Sequence, residues 1–291
     1  MFDMVSRRGF VSLSAAAAAG LGLAGCSGNK TSEPAGSDVG SAKSSSKKKA
    51  VELQVFAANS LEKALPEVQE LYAEQTGTTF ADTQFKASGD LVEQMRAGAA
   101  VDVLITASKG TMDDAEAAEL VDTDTREDMF VNDLVIIRAE GSDTKVEAIA
   151  DVANLDGKIA IGDAKTVPAG KYANQALASV GLYTGTEGDD GEYAPEIADK
   201  VALADKVGTA AAYVSTGDCV AGFVYSSDIY RYDDIEEAFV CPEDSHKPIV
   251  YPGAVAESSE HADEAKAFID FCLSNKKAQK IWAKYGFELS A

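Results

Sequence analysis

The sequence predicts an α/β fold in which mostly parallel strands alternate with helices. Three observations point there. Apolar runs of strand length recur through residues 51–291, each followed by a segment with helical spacing. Serine, proline or glycine stands at several of the points where the period changes. The 291 residues are 46% hydrophobic, enough to bury a core in one large or two modest domains.

The chain is organised around its first junction, VELQVFAANSLEKALPEV (residues 51–68). Val51, Leu53 and Val55 alternate as in a strand, then Leu61, Leu65 and Val68 take helical spacing. Ser60 falls at the expected helix N-cap, and Lys63 three places on rules out a capping box. A helix start of this kind aims unpaired amides, a hydroxyl and the positive dipole end at one point, which suits an anion. On the residues alone Ser60 is equally an ordinary cap. A second junction follows: a strand over residues 79–85, then Lys86-Ala87-Ser88-Gly89 and a helix with Leu91, Val92 and Met95 on one face. DVLITA (102–107) reads as a buried strand, residues 111–120 as a surface helix, and DLVIIR (133–138) as the most apolar strand of the middle region.

A third junction runs from KIAIG (158–162) into DAKTVPAGKYAN, where Pro168 suits the first helical position. The amides of Ala169 and Gly170 are then free, and Gly170 permits close approach of a ligand or of another backbone. Residues 201–203 form a short strand, and Asp205 is the expected cap of a fourth helix over residues 207–215. CVAGFVY (219–225) is a buried strand ending in Tyr225, at the edge where open α/β sheets bind ligands. A core aromatic serves as well there. A return strand (249–255) and helices over residues 262–274 and 277–285 close the chain.

Residues 1–26 read as an export signal. Arg7-Arg8 precedes an apolar run (11–23), and Leu23-Ala24-Gly25-Cys26 has the form of a lipoprotein cleavage box whose Cys26 becomes the lipidated N-terminus. Residues 27–50, rich in Ser, Gly and Lys, are a disordered tether. Residues 51–291 carry 19 lysines and arginines against 45 aspartates and glutamates, a net charge of −26, which excludes nucleic acid as partner. Any anion is held by local dipoles against that field. The acidic loop with Asp189, Asp190 and Glu192 lacks calcium-loop spacing, and His246 and His261 are too few for zinc. No nucleophile and base pattern and no nucleotide-binding glycine pattern is present, so catalysis has little support. Cys219, Cys241 and Cys272 are left outside the cytoplasm, and Cys219 with Cys241, flanking one strand unit, is the pairing expected of any disulfide.

VFAANSL, Ser88-Gly89-Asp90-Leu91, AGAAVDVLITA, DAKTVPAGKYA, GFVYSSD, PEDSHKPIVYP and KYGF together cover nearly all of residues 51–287. In these motifs the chain resembles the molybdate-binding proteins of bacterial ABC importers, a group of type II periplasmic-type substrate-binding proteins. The resemblance implies two lobes, one of residues 51–134 with 253–291 and one of residues 135–252. It implies molybdate or tungstate in the cleft between them, held through its oxygens by the hydroxyls of Ser60, Ser88 and Tyr225 and the amides of Ala169 and Val207. No protein ligand to the metal, no cofactor and no enzymatic activity is implied, and no lysine or arginine is expected in the site. The implied partners are an ABC importer permease and, through Cys26, the membrane, with the binder a monomer on the extracytoplasmic face. Asn59 stands where the family commonly has alanine, and both histidines are expected away from the donors. The alternatives are a binder of sulfate or phosphate, and an exported hydrolase on the same scaffold.

Overall fold

The computed structural model describes residues 51–290; the export signal, Cys26 and the tether of residues 27–50 lie outside the described residues. The chain enters as β1 (Glu52–Leu53) and β2 (Val55–Ala58), makes a 3-10 turn at Asn59–Leu61 and continues into α1 (Ala64–Thr76). The strand expected over residues 79–85 is two pieces: β3 (Thr79–Phe80) pairs with β1, and β4 (Gln84–Lys86) pairs with β2. Next come α2 (Ser88–Arg96), β5 (Val103–Ile105), α3 (Lys109–Ala117) and β6 (Glu127–Asn132). After Asp133 the chain enters a second sheet as β7 (Leu134–Ala139). There it lays down β8 (Ile159–Gly162), α4 (Pro168–Ser179), the short α5 (Pro195–Ala198) and β9 (Val201–Ala204). It continues through α6 (Val207–Ser215), β10 (Ala221–Tyr225) and β11 (Ile235–Val240). It returns as β12 (Ile249–Val255) and ends with α7 (Ala262–Ser274), α8 (Lys276–Lys284) and β13 (Glu288–Leu289).

Beside the two-stranded β1-β3 pair there are two larger sheets, one in each lobe: β13-β6-β12-β5-β2-β4 and β11-β7-β10-β8-β9. Parallel pairing runs through β5-β2-β4 and β10-β8-β9, where helices supply the crossovers that parallel neighbours need. The other pairs in both sheets are antiparallel, and these include the strands that carry the chain between sheets. The return crossing lies between Val240 and Ile249, so the division expected between Pro252 and Gly253 falls inside β12. Pro252 is tolerated there because the register with β6 shifts between Tyr251 and Pro252. Leu134 likewise pairs with Tyr225 in the second sheet.

Alternation fills both faces of the first sheet. Val55, Ala57, Val103 and Ile105 join the larger core with Leu65, Val68, Phe268 and Trp282 from α1, α7 and α8. Phe56 and Leu104 point the other way, onto Leu91, Val92, Met95 and Met112 of α2 and α3. Trp282 is fully buried, 4.4 Å from the ring of Phe130 and 6.0 Å from that of Phe287, and its indole N–H donates to the carbonyl of Cys272 at 3.1 Å. In the second lobe, the close approach expected at Gly170 is to backbone: a Cβ there would lie 2.0 Å from the carbonyl oxygen of Gly162. That contact seats the first turn of α4 on the end of β8.

The thiols of Cys219, Cys241 and Cys272 are free and buried, so the expected Cys219 and Cys241 bridge is not formed. Burial pushes the Cys241 thiol up to about 12 and raises those of Cys219 and Cys272 as well, which keeps them as unreactive thiols. Cys219, Cys241 and Cys272 are therefore expected to resist a thiol reagent in the native protein and all to react after denaturation without reductant. Peptide mapping of the labelled protein checks this, and a disulfide between any two of them would contradict it.

Candidate functional site

The turn after β2 meets the first turn of α6, and the first turn of α2 meets the loop before α4. Ser60 is not a helix cap as the sequence suggests. It lies inside the 3-10 turn, and α1 starts later, after Lys63. Its hydroxyl is instead 2.9 Å from the phenol oxygen of Tyr251. The side-chain amide of Asn132 donates to Ser227 Oγ at 2.8 Å and reaches Tyr251 at 3.5 Å, while its carbonyl oxygen accepts from Ser226 Oγ and the Asp133 amide. Tyr251 accepts from Asn132, and either hydroxyl of the Ser60 and Tyr251 pair can be the donor. When Tyr251 donates, the hydrogen of Ser60 is left for a ligand.

Ser88 is the first residue of α2 and accepts the Ala107 amide at 3.0 Å, so its own hydrogen is also available. The Tyr225 hydroxyl donates to the Ala107 carbonyl at a long 3.5 Å, so one residue links Ser88 in the first lobe to Tyr225 in the second, and a ligand would take this hydrogen in place of the carbonyl. The amide of Gly89 donates to the Thr166 carbonyl at 3.0 Å and ties the start of α2 to the loop before α4. Pro168 occupies the first turn of α4, as its sequence position predicts. No side chain caps α4 or α6; the amides of Ala169 and Val207 precede the first backbone bonds of their helices, whereas the Gly170 amide, expected to be free, donates to the Val167 carbonyl at 2.9 Å and that of Thr209 to Lys206 at 3.1 Å. Asp205, the expected cap of α6, accepts the Thr209 hydroxyl at 2.6 Å instead. The Gly208 amide donates to Asn59 Oδ1 at 3.0 Å and holds the start of α6 against the turn that carries Ser60.

Each of the five expected residues is buried, at most 4% exposed. The Tyr225 ring meets Tyr251 and Tyr172 edge-on, at 5.6 and 6.4 Å. Burial pushes the phenols of Tyr225, Tyr251 and Tyr172 well above their ordinary value, so they remain O–H donors at physiological pH. Buried amides and hydroxyls of this kind suit a dianion, which needs several aligned donors at once to offset its lost hydration.

Three features escaped the sequence reading. Tyr251 was legible only as a strand residue of IVYPG. His246, expected far from the donors, has its ring 5.9 Å from that of Tyr172 and so lies one ring from Tyr225. An arginine also stands beside the site, where none was expected: Arg231 reaches Asn59 Oδ1 with Nη2 at 3.3 Å and Nη1 at 3.4 Å. Its charge is matched by Asp228 and Glu62, both at 2.7 Å. Burial drives the fully buried Asp228 carboxyl upward, and the guanidinium opposes this. The only sequence signal was the three-residue spacing of Asp228 and Arg231 beyond Tyr225.

A family model described as bacterial extracellular solute-binding protein matches residues 53–288. The chain belongs to this family. It is therefore an exported, two-lobed solute-binding protein and not an enzyme. It is 33% identical over 242 residues to the molybdate-binding protein ModA of Escherichia coli (strain K12), covering 81% of this chain and 89% of that one. It is 29% identical over 277 residues to the "Putative ABC transporter substrate-binding lipoprotein YvgL" of Bacillus subtilis (strain 168), covering 94% and 95%. Among solved structures, the "substrate binding domain of putative molybdenum ABC transporter from Clostridium difficile" superposes with a TM-score of 0.61 at 33% identity, over 83% of this chain and all of that one. No described helix is long and apolar enough to cross a membrane.

Proposed function

We propose that this solute-binding protein captures molybdate, and tungstate as well, and delivers it to the permease of an ABC importer. The observation that supports this reading is the chain of bonds that links Ser88 through Ala107 to Tyr225, Ser60 to Tyr251, and the start of α6 to Asn59 beside Ser60, all buried. Ser60, Ser88 and Tyr225 donate O–H, Ala169 and Val207 donate N–H, and closure of the lobes removes the remaining water. The names of its Escherichia coli and Clostridium difficile relatives support molybdenum as the element carried. The lobes divide at Asp133 and in the segment between Val240 and Ile249, which act as the hinge. The protein works as a monomer, anchored to the extracytoplasmic face of the membrane by lipid on Cys26; the cleavage box and the lipoprotein name of the Bacillus subtilis relative support the anchor. Elemental analysis of protein purified after growth with molybdate and tungstate, followed by calorimetric titration with molybdate, tungstate, sulfate and phosphate, tests the assignment. Sulfate or phosphate binding as tightly as molybdate would overturn it.

A site of amides, hydroxyls and phenols holds no group that titrates near neutrality. Raising a phenol's pKa lengthens the range over which it keeps its hydrogen, so the upward shift of Tyr225 protects the donor as pH rises. Molybdate affinity is expected to change by less than about threefold between about pH 6 and 8. Titrations across that range, with His246→Gln as a control for the ring near Tyr172, check it. A tenfold loss that vanishes in His246→Gln would put a histidine charge into the binding equilibrium.

A further inference from the structure

One cluster beside the cleft plays no part in donating to the ligand. Asn59 and Glu62 come from the turn after β2 in the first lobe, whereas Gly208, Asp228 and Arg231 come from the second. Asn59 Oδ1 accepts the Gly208 amide at 3.0 Å and faces both terminal nitrogens of Arg231, and its Nδ2 donates to Glu62 at 3.0 Å. Arg231 spans from Asp228, whose other oxygen accepts the Tyr225 amide at 3.1 Å, to Glu62 across the lobe boundary. Its side chain is only 5% exposed. The approach is close: a Cβ at 208 would lie 2.6 Å from Asn59 Oδ1 and 2.9 Å from Arg231 Nη2, so these side-chain ends would have to move aside.

We propose that Asn59 and Arg231 form a latch between the lobes, which stabilises the closed state and slows release of the bound solute without touching it. Asn59 takes the second amide of α6 as its own partner, which holds the neighbouring Val207 amide at the cleft. Arg231 contributes bonds and not net charge, because Asp228 and Glu62 flank it. Both are positioning residues. Each bond that crosses the boundary exists only when the lobes are together, so its free energy enters the closing equilibrium and hence the dissociation rate. The rate effect rests on the molybdate reading, whereas the closure effect does not.

The test variant is Asn59→Ala, which removes the shared acceptor and leaves the buried Arg231 and Asp228 pair intact. Spin labels on Glu70→Cys and Glu196→Cys, exposed positions in the two lobes, report their separation in the ligand-free full-length protein. With Asn59→Ala the distance distribution is expected to broaden toward longer values. Stopped-flow exchange of molybdate is expected to show dissociation about tenfold faster, the effect of losing roughly one net hydrogen bond, with association changed far less. An unchanged distance distribution overturns the latch whether or not molybdate binds. A wider distribution in a protein that fails to bind molybdate upholds the latch and overturns the ligand assignment instead. Equal slowing of association and speeding of dissociation, together with a fall in melting temperature, would mean that Asn59 only supports the local fold.

Discussion

Alanine at both Ser60 and Ser88 is expected to lower molybdate affinity by about a hundredfold to ten-thousandfold. A hydrogen bond to a charged group contributes about 1.5–3 kcal/mol, and about 1.4 kcal/mol is a factor of ten in affinity, so each serine alone is expected to account for roughly ten- to a hundredfold. The two enter from separate elements, the turn after β2 and the start of α2, and are held by different partners, Tyr251 and the Ala107 amide. Their contributions are therefore expected to add more nearly than those of neighbours in one network. Isothermal titration of both single variants and the double variant measures this, with circular dichroism to establish that the fold survives. Affinity retained within about threefold in either single variant would remove that serine from the ligand's first shell of donors.

The largest loss of stability is expected from Trp282→Ala, at about 3–5 kcal/mol. Trp282 is fully buried between Phe130 of β6 and Phe287, so its removal leaves a cavity where α8 meets the first sheet. It also leaves the Cys272 carbonyl without its indole donor. Urea denaturation followed by circular dichroism is the appropriate measurement, because Trp282 is the only tryptophan and its fluorescence disappears with it. The midpoint is expected to fall with the slope preserved. A shift worth less than about 1 kcal/mol would show that neighbouring side chains collapse into the space.

The parallel half of each sheet was legible because strand, turn and helix follow one another, and their hydrophobic periods change at identifiable residues. The antiparallel half was harder to read. β6 opens with Glu127 and Asp128, β11 carries Glu236 and Glu237, and β13 is two residues long, so none offers a continuous apolar run. Four helix starts and one strand end of the site were visible from local patterns alone, and the resemblance gathered their residues into one set. The partners that aim those residues were not visible. Tyr251 reaches Ser60 across 191 positions, and Arg231 reaches Asn59 across 172, contacts that exist only once strands and lobes have come together. Ser60 was misread as a cap for a local reason: a serine between a strand and a helical run fits an N-cap, but here a 3-10 turn from Asn59 to Leu61 comes first and Ser60 lies in its middle.

Two of the five proposed donors belong to the main chain, at Ala169 and Val207, and this limits what side-chain replacement can do to the cleft. An alanine scan would pass over both, since position 169 is alanine already and Val207→Ala keeps its N–H. Selection acting on side chains can retune Ser60, Ser88 and Tyr225 one at a time, but it can move the two amides only by shifting α4 or α6. Gly170 against the Gly162 carbonyl, and Gly208 against Asn59, hold those two helices where they are. A change of preferred anion is therefore expected to arise from substitutions at the hydroxyl positions, while the helix starts persist as an inherited cradle.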